Sequence, residues 1–316
     1  SIAMLNGYNN TINIYDYEKG ILSESFIFEK EGNNGVGIIK GFLIGEDGNF
    51  YISNAQVLSI VSEKMKVLDS YSLNSEQTGN EASVNVSTTS PITKKSNFIY
   101  FNTELLGSTQ HKPIIRLNLI SRKFVSMYKL SEKYKEGFWG AIHYDTYDYT
   151  YNKKDDLIVH SFHADEDVYV AKKDKEVDVY DLGSNHFSRI SALYESIEVA
   201  NPDPSISYAK AAQQGSYGYL IYDQYNALYY RIALLPISKK EAKIALSDPF
   251  SVMPQHSFII ADDSFSKLGE TLMPRNAHML NMFFITKEGF HIAKKQTENE
   301  DEIVFDIYKA EEIAND

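Results

Sequence analysis

The chain has no cysteine in its 316 residues, which excludes disulfides, thiolate zinc sites and a cysteine nucleophile. It also has no apolar run near the roughly 18 residues that a membrane-spanning helix needs. Basic residues are in deficit, because 31 Lys and Arg stand against 43 Asp and Glu and give a formal net charge of −12. This acidity argues against a nucleic-acid partner and against attachment to an anionic lipid surface, since both require a basic face.

Helix signals are scarce, and aromatic residues are abundant instead. One polar segment, Lys239–Leu246, could form a short helix, and several prolines are interpreted as loop markers: Pro202, Pro204, Pro236, Pro249 and Pro254. The 23 Tyr and 17 Phe favour strands, because aromatic side chains pack well on a pleated, half-buried surface. We therefore expect a β-rich protein with little helix.

The strongest local signal is a recurring hairpin, in which two apolar strands flank a polar turn. The five predicted hairpins are Ile12–Asp16 with Ile21–Phe28, Val57–Val61 with Val67–Leu73, Ile114–Asn118 with Phe124–Leu130, Val177–Asp181 with Phe187–Leu193, and Phe258–Asp262 with Phe265–Leu272. Further strands stand before or between these hairpins, and a late pair covers residues 282–292. The unit is thus four strands, repeated at about 45 to 60 residues, which is the period of propeller blades.

We predict an all-β protein, a six-bladed β-propeller of four-stranded antiparallel blades, with residues 1–316 as a single domain. A β-sandwich has no such four-strand period. Closing the blades into a ring protects the edge strands from aggregation. We therefore expect the first strand, Ile2–Leu5, and the last, Ile303–Tyr308, to share one blade. Nine alternating apolar residues are predicted to be largely buried: Ile12, Ile14, Ile60, Ile115, Leu117, Val177, Val179, Ile259 and Phe284.

Several segments resemble those of a known family. Phe26–Val36 resembles a strand followed by an "EGPNGV" step, Tyr230–Ile232 a "YRI" strand, and Phe258–Glu270 and Phe284–Phe290 two further hairpins. This pattern is similar to a Bacteroidetes family of six-bladed β-propeller lipoproteins of unknown function, related in form to NHL- and TolB-like propellers. The resemblance covers most of the chain, but its motifs are structural and imply no activity.

The resemblance implies a protein exported to the cell envelope, in the periplasm or at the outer membrane. The chain begins at Ser1 without Met, so we expect a matured protein whose signal and lipid anchor lie upstream. One such anchor would be its only contact with a membrane. We further expect a monomer that needs no cofactor and no metal.

Two motifs carry weak signals for chemistry. Gly32–Gly37 is glycine-rich, but Ile38–Ile44 after it is interpreted as a strand, whereas a phosphate cradle needs a helix N-terminus there. A tight turn between blades is therefore favoured. His160–Asp167 carries residues of the types that bind metals, yet His160 and His163 would point to opposite faces of a strand. A solvated acidic loop is favoured there.

The only tryptophan opens an aromatic stretch in which Tyr147, Tyr149 and Tyr151 alternate with polar residues. This face is either a stacking platform for a sugar or packing between neighbouring blades. Residues at strand ends and in loops that mix aromatic, acidic and basic types form the predicted ligand-binding face: Trp139, His143, Asp145, His163 and Arg275.

Two functions fit a propeller of this kind. The first is a non-catalytic envelope module that binds a protein or another ligand, such as a carbohydrate. The alternative is an envelope glycan hydrolase or lyase with its site at the central channel. The sequence has no G-x-S-x-G or H-E-x-x-H motif, and no acid–base pair can be named from spacing. We therefore expect no turnover of common ester, phosphate or glycoside substrates.

Overall fold

The computed structural model describes residues 1–79, 83–87, 89–103, 112–140, 144, 146–172, 175–196, 199, 203–247, 252–297, 299 and 302–311. Contacts divide the chain into two compact units, and among the described residues the first ends at Lys129 and the second begins at Leu130. Each unit contributes three antiparallel sheets, and the sheets follow one another along the chain. The six sheets are the blades of a six-bladed β-propeller, as the sequence predicts.

The first unit contains sheets of three, four and five strands. Its elements are β1 (Ile2–Asn6), β2 (Thr11–Asp16), β3 (Ile21–Ile27), β4 (Gly41–Ile44), β5 (Phe50–Ser53), β6 (Val57–Val61), β7 (Val67–Ser72), helix α1 (Ser75–Thr78), β8 (Val84–Asn85), β9 (Thr93–Lys95), β10 (Phe98–Thr103), β11 (Ile114–Asn118) and β12 (Lys123–Met127). The sheets are β1–β3, β4–β7 and β8–β12. Three of the predicted hairpins, β2–β3, β6–β7 and β11–β12, are confirmed.

The second unit contains sheets of four, four and three strands. Its elements are a 3₁₀ turn (Glu132–Lys135), β13 (Tyr147–Asn152), β14 (Leu157–Phe162), β15 (Asp167–Lys172), β16 (Lys175–Asp181), α2 (Pro204–Gln214), β17 (Ser216–Asp223), β18 (Leu228–Leu234), α3 (Lys239–Ser247), β19 (His256–Ala261), β20 (Lys267–Leu272), β21 (His278–Thr286), β22 (Gly289–Lys294) and β23 (Phe305–Tyr308). The sheets are β13–β16, β17–β20 and β21–β23. The predicted hairpin β19–β20 and the late pair β21–β22 are confirmed.

The predicted fourth hairpin is wrong. β16 does not turn back at Gly183 but pairs with the preceding strand β15, and residues 187–193 form no strand. The turn residues after β16 are instead bound by Glu270, whose carboxylate accepts hydrogen bonds from the Ser184 hydroxyl and the Asn185 N–H, each 2.6 Å long. The turn is therefore the exit from the sheet rather than the tip of a hairpin.

The predicted blade shared by the two chain ends is also not seen. β1 pairs with β2, and β23 pairs with β22, in two different three-stranded sheets of the described residues. Each terminal strand thus finds its partner in the hairpin next to it along the chain.

One predicted helix, α3, is confirmed, and two helices, α1 and α2, are missed. α3 covers the predicted polar segment, whereas α2 begins at Pro204, which the sequence analysis took as a loop marker. The Asp203 carboxylate caps α2 by accepting the Ser205 N–H at 2.8 Å. Proline is well tolerated at a first helical position because its missing N–H would have no partner there. None of the described helices is long and apolar enough to cross a membrane.

The glycine-rich segment of the first unit is a tight turn between β3 and β4. The Val36 N–H donates to the Glu29 carbonyl at 2.9 Å, and the Gly37 N–H donates to the Lys30 carbonyl at 3.1 Å. Gly37 has a φ of +74°, which glycine adopts without strain. These backbone groups are already paired, so the segment does not offer them to a phosphate.

Most of the predicted core is confirmed. Ile12, Ile60, Ile115, Leu117 and Ile259 are buried, and Ile14 and Phe284 are half-buried. The prediction for Val179 is wrong, because its side chain is 53% exposed. Val179 lies on β16, the last strand of its sheet, which pairs with another strand on one side only. The side chain of Val177 lies outside the described residues.

Because Leu117 is buried and Val179 is exposed, truncation of these two side chains should lower the free energy of unfolding by different amounts. Leu117→Ala should lower the free energy of unfolding by about 2–5 kcal/mol, because a fully buried side chain leaves a cavity. Val179→Ala should cost less than about 0.5 kcal/mol, as exposed substitutions do. Urea denaturation of both variants measures the difference, and equal costs would show that the assigned burial is wrong.

Candidate functional site

The two ends of the sheets in the second unit differ in the length of their connections. In an antiparallel sheet with strands in chain order, the connections before the first, between the second and third, and after the fourth strand lie at the same end. These connections are residues 128–146, 163–166, 182–215, 235–255, 273–277 and 295–304, and we call this end the loop edge. The other end, the turn edge, has residues 153–156, 224–227, 262–266 and 287–288. Long connections and both longer helices, α2 and α3, are thus at the loop edge.

Polar contacts link three connections of the loop edge. The Ser131 hydroxyl donates to the Asp165 carboxylate, and the Lys133 ammonium pairs with Glu166 and lies 3.9 Å from Asp165. Arg189 in the next connection also approaches Glu166, at 3.7 Å. Lys133 and Asp165 are almost fully buried. Ion pairs and hydrogen bonds therefore link the three connections. Those of Lys133 and Asp165 are buried, whereas Arg189 is 61% exposed.

A fully buried arginine on β18 lies beneath this cluster. Its guanidinium stands 3.8 Å from the centroid of the Tyr217 ring. It donates hydrogen bonds to five backbone carbonyls, those of Phe162, Asp165, Glu166, Asp167 and Leu182. Arg231 thereby fixes the backbone of the β14–β15 connection and the start of the long connection after β16.

Asp167, at the start of β15, has an unusual titration. Burial raises the pKa of its carboxyl to about 6, and the negative charges of Asp165 and Glu166 add to the effect, while Arg231 opposes it. The second unit therefore carries a carboxyl at its loop edge that changes charge near neutral pH.

Trp139 lies inside an aromatic cluster. Its side chain is 3% exposed, and its ring centroid lies 5.6 Å from that of Tyr134 and 5.7 Å from that of Tyr144. Tyr147 and Tyr149 on β13 are buried as well. Of the two interpretations of the aromatic stretch, this geometry favours packing over an open stacking platform.

His163 lies at the end of β14 and has hydrogen-bond partners on both ring nitrogens. Its Nδ1 lies 2.7 Å from the Thr146 hydroxyl, and its Nε2 lies 2.7 Å from a carboxylate oxygen of Asp148. His160, the other histidine of the segment His160–Asp167, is instead buried on β14, and its ring stacks on that of Tyr169. The two histidines thus belong to different surroundings. Among the described residues, no group of three or more metal-binding side chains is arranged to hold an ion.

The other predicted site residues are only partly described. Arg275 forms an ion pair with Glu241 of α3 at 2.6 Å and donates to the Met253 carbonyl at 3.1 Å. Trp139, His163 and Arg275 all belong to connections of the loop edge or adjoin them. His143 and Asp145 lie outside the described residues. The predicted ligand-binding face therefore stays a prediction.

Thr146 and Asp148 were missed by sequence reasoning, although a signal was present. The sequence analysis considered the alternating tyrosines of β13, which lie on one face of that strand. The opposite face carries the polar residues that alternate with them, Thr146, Asp148 and Thr150. Their approach to His163 depends on the strand register, which spacing does not specify.

Buried histidines at the loop edge predict a loss of stability in acid. Burial lowers the pKa of His256 to about 4, and the neighbouring His278 contributes to this shift. The unfolded chain then binds a proton that the folded chain does not, so the free energy of unfolding should fall as the pH drops from about 6.5 towards 4. His256→Leu should reduce this dependence in urea titrations at several pH values. An unchanged pH dependence in this variant would contradict the assignment.

The blade series and the enlarged loop edge define a β-propeller protein. The chain belongs to the family described as a domain of unknown function, DUF4221, whose model matches residues 2–272. The family resemblance given by the sequence is thereby confirmed. Comparison with curated proteins finds no match.

Two solved structures are similar to the chain. A member of the same family from Bacteroides vulgatus has a TM-score of 0.74 at 19% identity and covers 95% of this chain and 87% of its own. A candidate exported protein from Bacteroides fragilis has a TM-score of 0.56 at 8% identity and covers 92% of this chain and 76% of its own. At these identities the likeness concerns the fold.

Proposed function

We propose that the protein is exported to the cell envelope, is held there by an N-terminal lipid anchor and binds a ligand or a protein at its loop edge. The fold of the candidate exported protein from Bacteroides fragilis supports the export step. A chain without cysteine also suits a compartment in which thiols oxidise.

Fractionation of the producing organism tests the location. The full-length protein should be found in the membrane fraction, should incorporate labelled palmitate and should be released by detergent. Recovery of the unlabelled protein from the cytosol would contradict both the export and the anchor.

The observation that carries the binding proposal is the asymmetry of the second unit. Tight turns close one end of its sheets, whereas the other end bears long connections, two packed helices and a set of buried ion pairs. Loops on a rigid scaffold are where binding residues concentrate. The long connections and the buried ion pairs of the second unit thus lie at the loop edge, and we assign the binding surface to that edge.

A carbohydrate is the first ligand class to test, because acidic and basic side chains at this edge, such as Glu136 and Arg189, are exposed and can form hydrogen bonds with sugar hydroxyls. The purified protein would be applied to an array of bacterial and dietary glycans. Arg275→Ala should weaken the binding that the wild-type protein shows. Arg122→Ala is the matched control, since Arg122 is likewise exposed and paired with a carboxylate, that of Asp69, but lies in the first unit.

Equal binding by both variants would contradict the assignment to the loop edge. An absence of binding to any glycan would contradict the carbohydrate class and direct the search to protein partners.

A further inference from the structure

Three polar side chains at the loop edge, those of Asp148, His163 and Thr146, are linked in a row by hydrogen bonds. The Asp148 carboxylate lies 2.7 Å from His163 Nε2, and His163 Nδ1 lies 2.7 Å from the Thr146 hydroxyl. Asp148 is largely buried, while the His163 side chain is 19% exposed and Thr146 is half-buried. The Asp148 carboxylate is therefore more buried than the His163 imidazole, part of which is exposed to solvent.

The strand register explains why these groups meet. Asp148 pairs with Ser161 and Tyr147 with Phe162 across β13 and β14, so the next opposing residues are Thr146 and His163. The His163 N–H donates to the Thr146 carbonyl at 3.2 Å, which continues the register. Thr146 and Asp148 are two residues apart and therefore share one face of the strand. The imidazole of His163 lies across that face and reaches both.

Backbone contacts hold the imidazole in place. The Tyr217 N–H of β17 donates to the His163 carbonyl at 2.8 Å, and Arg231 binds the carbonyls of residues on both sides of His163. A site built on strand ends and fixed by contacts from a neighbouring sheet holds its geometry better than a free loop does.

The charge of Asp148 decides where the protons lie. An ionised carboxylate only accepts hydrogen bonds, so Nε2 of His163 must carry the proton in that contact. In the neutral imidazole Nδ1 then has a free lone pair, and the Thr146 hydroxyl donates its proton to it. This arrangement of carboxylate, imidazole and hydroxyl is the one that activates a hydroxyl as a nucleophile.

We propose that Thr146 is a nucleophile for acyl esters, with His163 as its general base and Asp148 as the positioning residue. As Thr146 Oγ attacks the ester carbonyl carbon, its proton passes to His163 Nδ1. The bond from that carbon to the alcohol oxygen then breaks, and the leaving oxygen takes the proton from His163. The acyl group remains on Thr146 until water, deprotonated by the same nitrogen, releases it as a carboxylic acid and restores the hydroxyl.

The surroundings favour an uncharged acyl group over a phosphate. Asp165, Glu166 and Asp167 lie two to four residues after His163, and the protein carries a net charge of −12. Lys133 and Arg189 offset part of the local negative charge, so it is the net charge of the whole protein that disfavours a phosphate dianion. The sequence predicted no ester turnover because no acid–base pair could be named, and the structure supplies such a pair. This activity is separate from the proposed binding of a glycan or a protein.

The test is acetylation of the purified full chain by p-nitrophenyl acetate, with the modified residue located by peptide mass spectrometry. The wild-type protein should carry the acetyl group on Thr146. Thr146→Ala should abolish it, and Thr146→Ser should retain it. His163→Gln should slow acetylation about 10²–10⁴-fold, the usual contribution of a general base. Asp148→Asn should displace the pH–rate profile, which a purely structural role would leave in place.

Thr150→Ala is the matched control. Thr150 lies on the same face of β13, but its hydroxyl accepts the Tyr222 N–H at 3.2 Å. Its loss should leave acetylation unchanged. Circular dichroism verifies that each variant is folded, and the comparison of Thr146→Ala with Thr146→Ser serves if the His163 variant does not fold. The proposal would be overturned if the wild-type protein neither carries acetyl on Thr146 nor releases p-nitrophenol faster than Thr146→Ala, or if folded His163→Gln reacts at an unchanged rate. The glycan array does not depend on Thr146, so the two proposals can fail separately.

Discussion

Replacement of Arg231 by leucine should lower the free energy of unfolding by about 3–5 kcal/mol, as the loss of one partner from a buried charged network does. The guanidinium is fully buried and donates to five backbone carbonyls. Leucine would take one donor from each of these carbonyls in a fully buried site. The Phe162 and Glu166 carbonyls would keep the N–H groups of Asp165 and Leu182, but a buried acceptor that is left without a donor is costly. It would also remove the positive charge beside Asp165, Glu166 and Asp167.

Arg231→Lys separates the contribution of the positive charge from that of the hydrogen bonds to the carbonyls. Lysine keeps the charge but lacks the planar fork that reaches several acceptors at once. We expect a loss close to that of leucine, because geometry rather than charge alone satisfies the carbonyls. Chemical denaturation of both variants measures this. A lysine variant as stable as the wild-type protein would show that the charge is sufficient and that the carbonyl contacts contribute little.

Replacement of Glu270 by glutamine should cost about 3–5 kcal/mol, again as a buried charged group that loses its charge. The carboxylate is 1% exposed. It accepts hydrogen bonds from the hydroxyls of Ser184 and Ser257, from the Asn185 N–H and from the Lys267 ammonium. Glutamine would turn one acceptor into a donor that faces these donors. Glu132→Gln is the control, because Glu132 is also paired with a lysine but is 78% exposed, where ion pairs contribute about 0–1 kcal/mol.

Glu270 also predicts a dependence of stability on pH. Burial raises the pKa of its carboxyl, but the hydrogen bonds from Asn185, Ser184 and Ser257 outweigh burial and hold the pKa below the ordinary value of 4.5. The stabilisation is therefore complete above pH 4.5 and is lost as the pH falls through the lowered pKa. Denaturation of Glu270→Gln below pH 4.5 should show a smaller decline than the wild-type protein. Equal declines would mean that Glu270 is not a source of the acid sensitivity.

The sheets could be located from the sequence because most hairpins have a local pattern, in which apolar and polar residues alternate on both sides of turn residues. The prediction failed after β16, where Gly183 and Ser184 fit a hairpin turn as well as an exit from the sheet. In the structure this segment leaves the sheet, and it is bound there by Glu270, which is remote in the sequence. α2 was missed because Pro204 marks a helix start as readily as a loop.

The candidate site was only partly predictable for the same reason. His163 stood out by residue type, but its bonds to Thr146 and Asp148 depend on the register of β13 against β14. Arg231 was noted only as part of a strand motif. Its role follows from burial beneath a loop of another sheet, which no local pattern shows.

The central claim is that the loop edge of the second unit is the surface that meets a partner. Lys135 and Lys154 allow a direct test, because their side chains are 62% and 63% exposed and each is paired with a carboxylate. Lys135 lies at the loop edge and Lys154 at the turn edge. An amine-reactive reagent would be applied to the purified protein and to the protein in intact envelopes, and the modification of each lysine compared by mass spectrometry. We predict that Lys135 loses reactivity in the envelope while Lys154 keeps it. Protection of Lys154 instead, or equal reactivity of both lysines in the two samples, would contradict the claim.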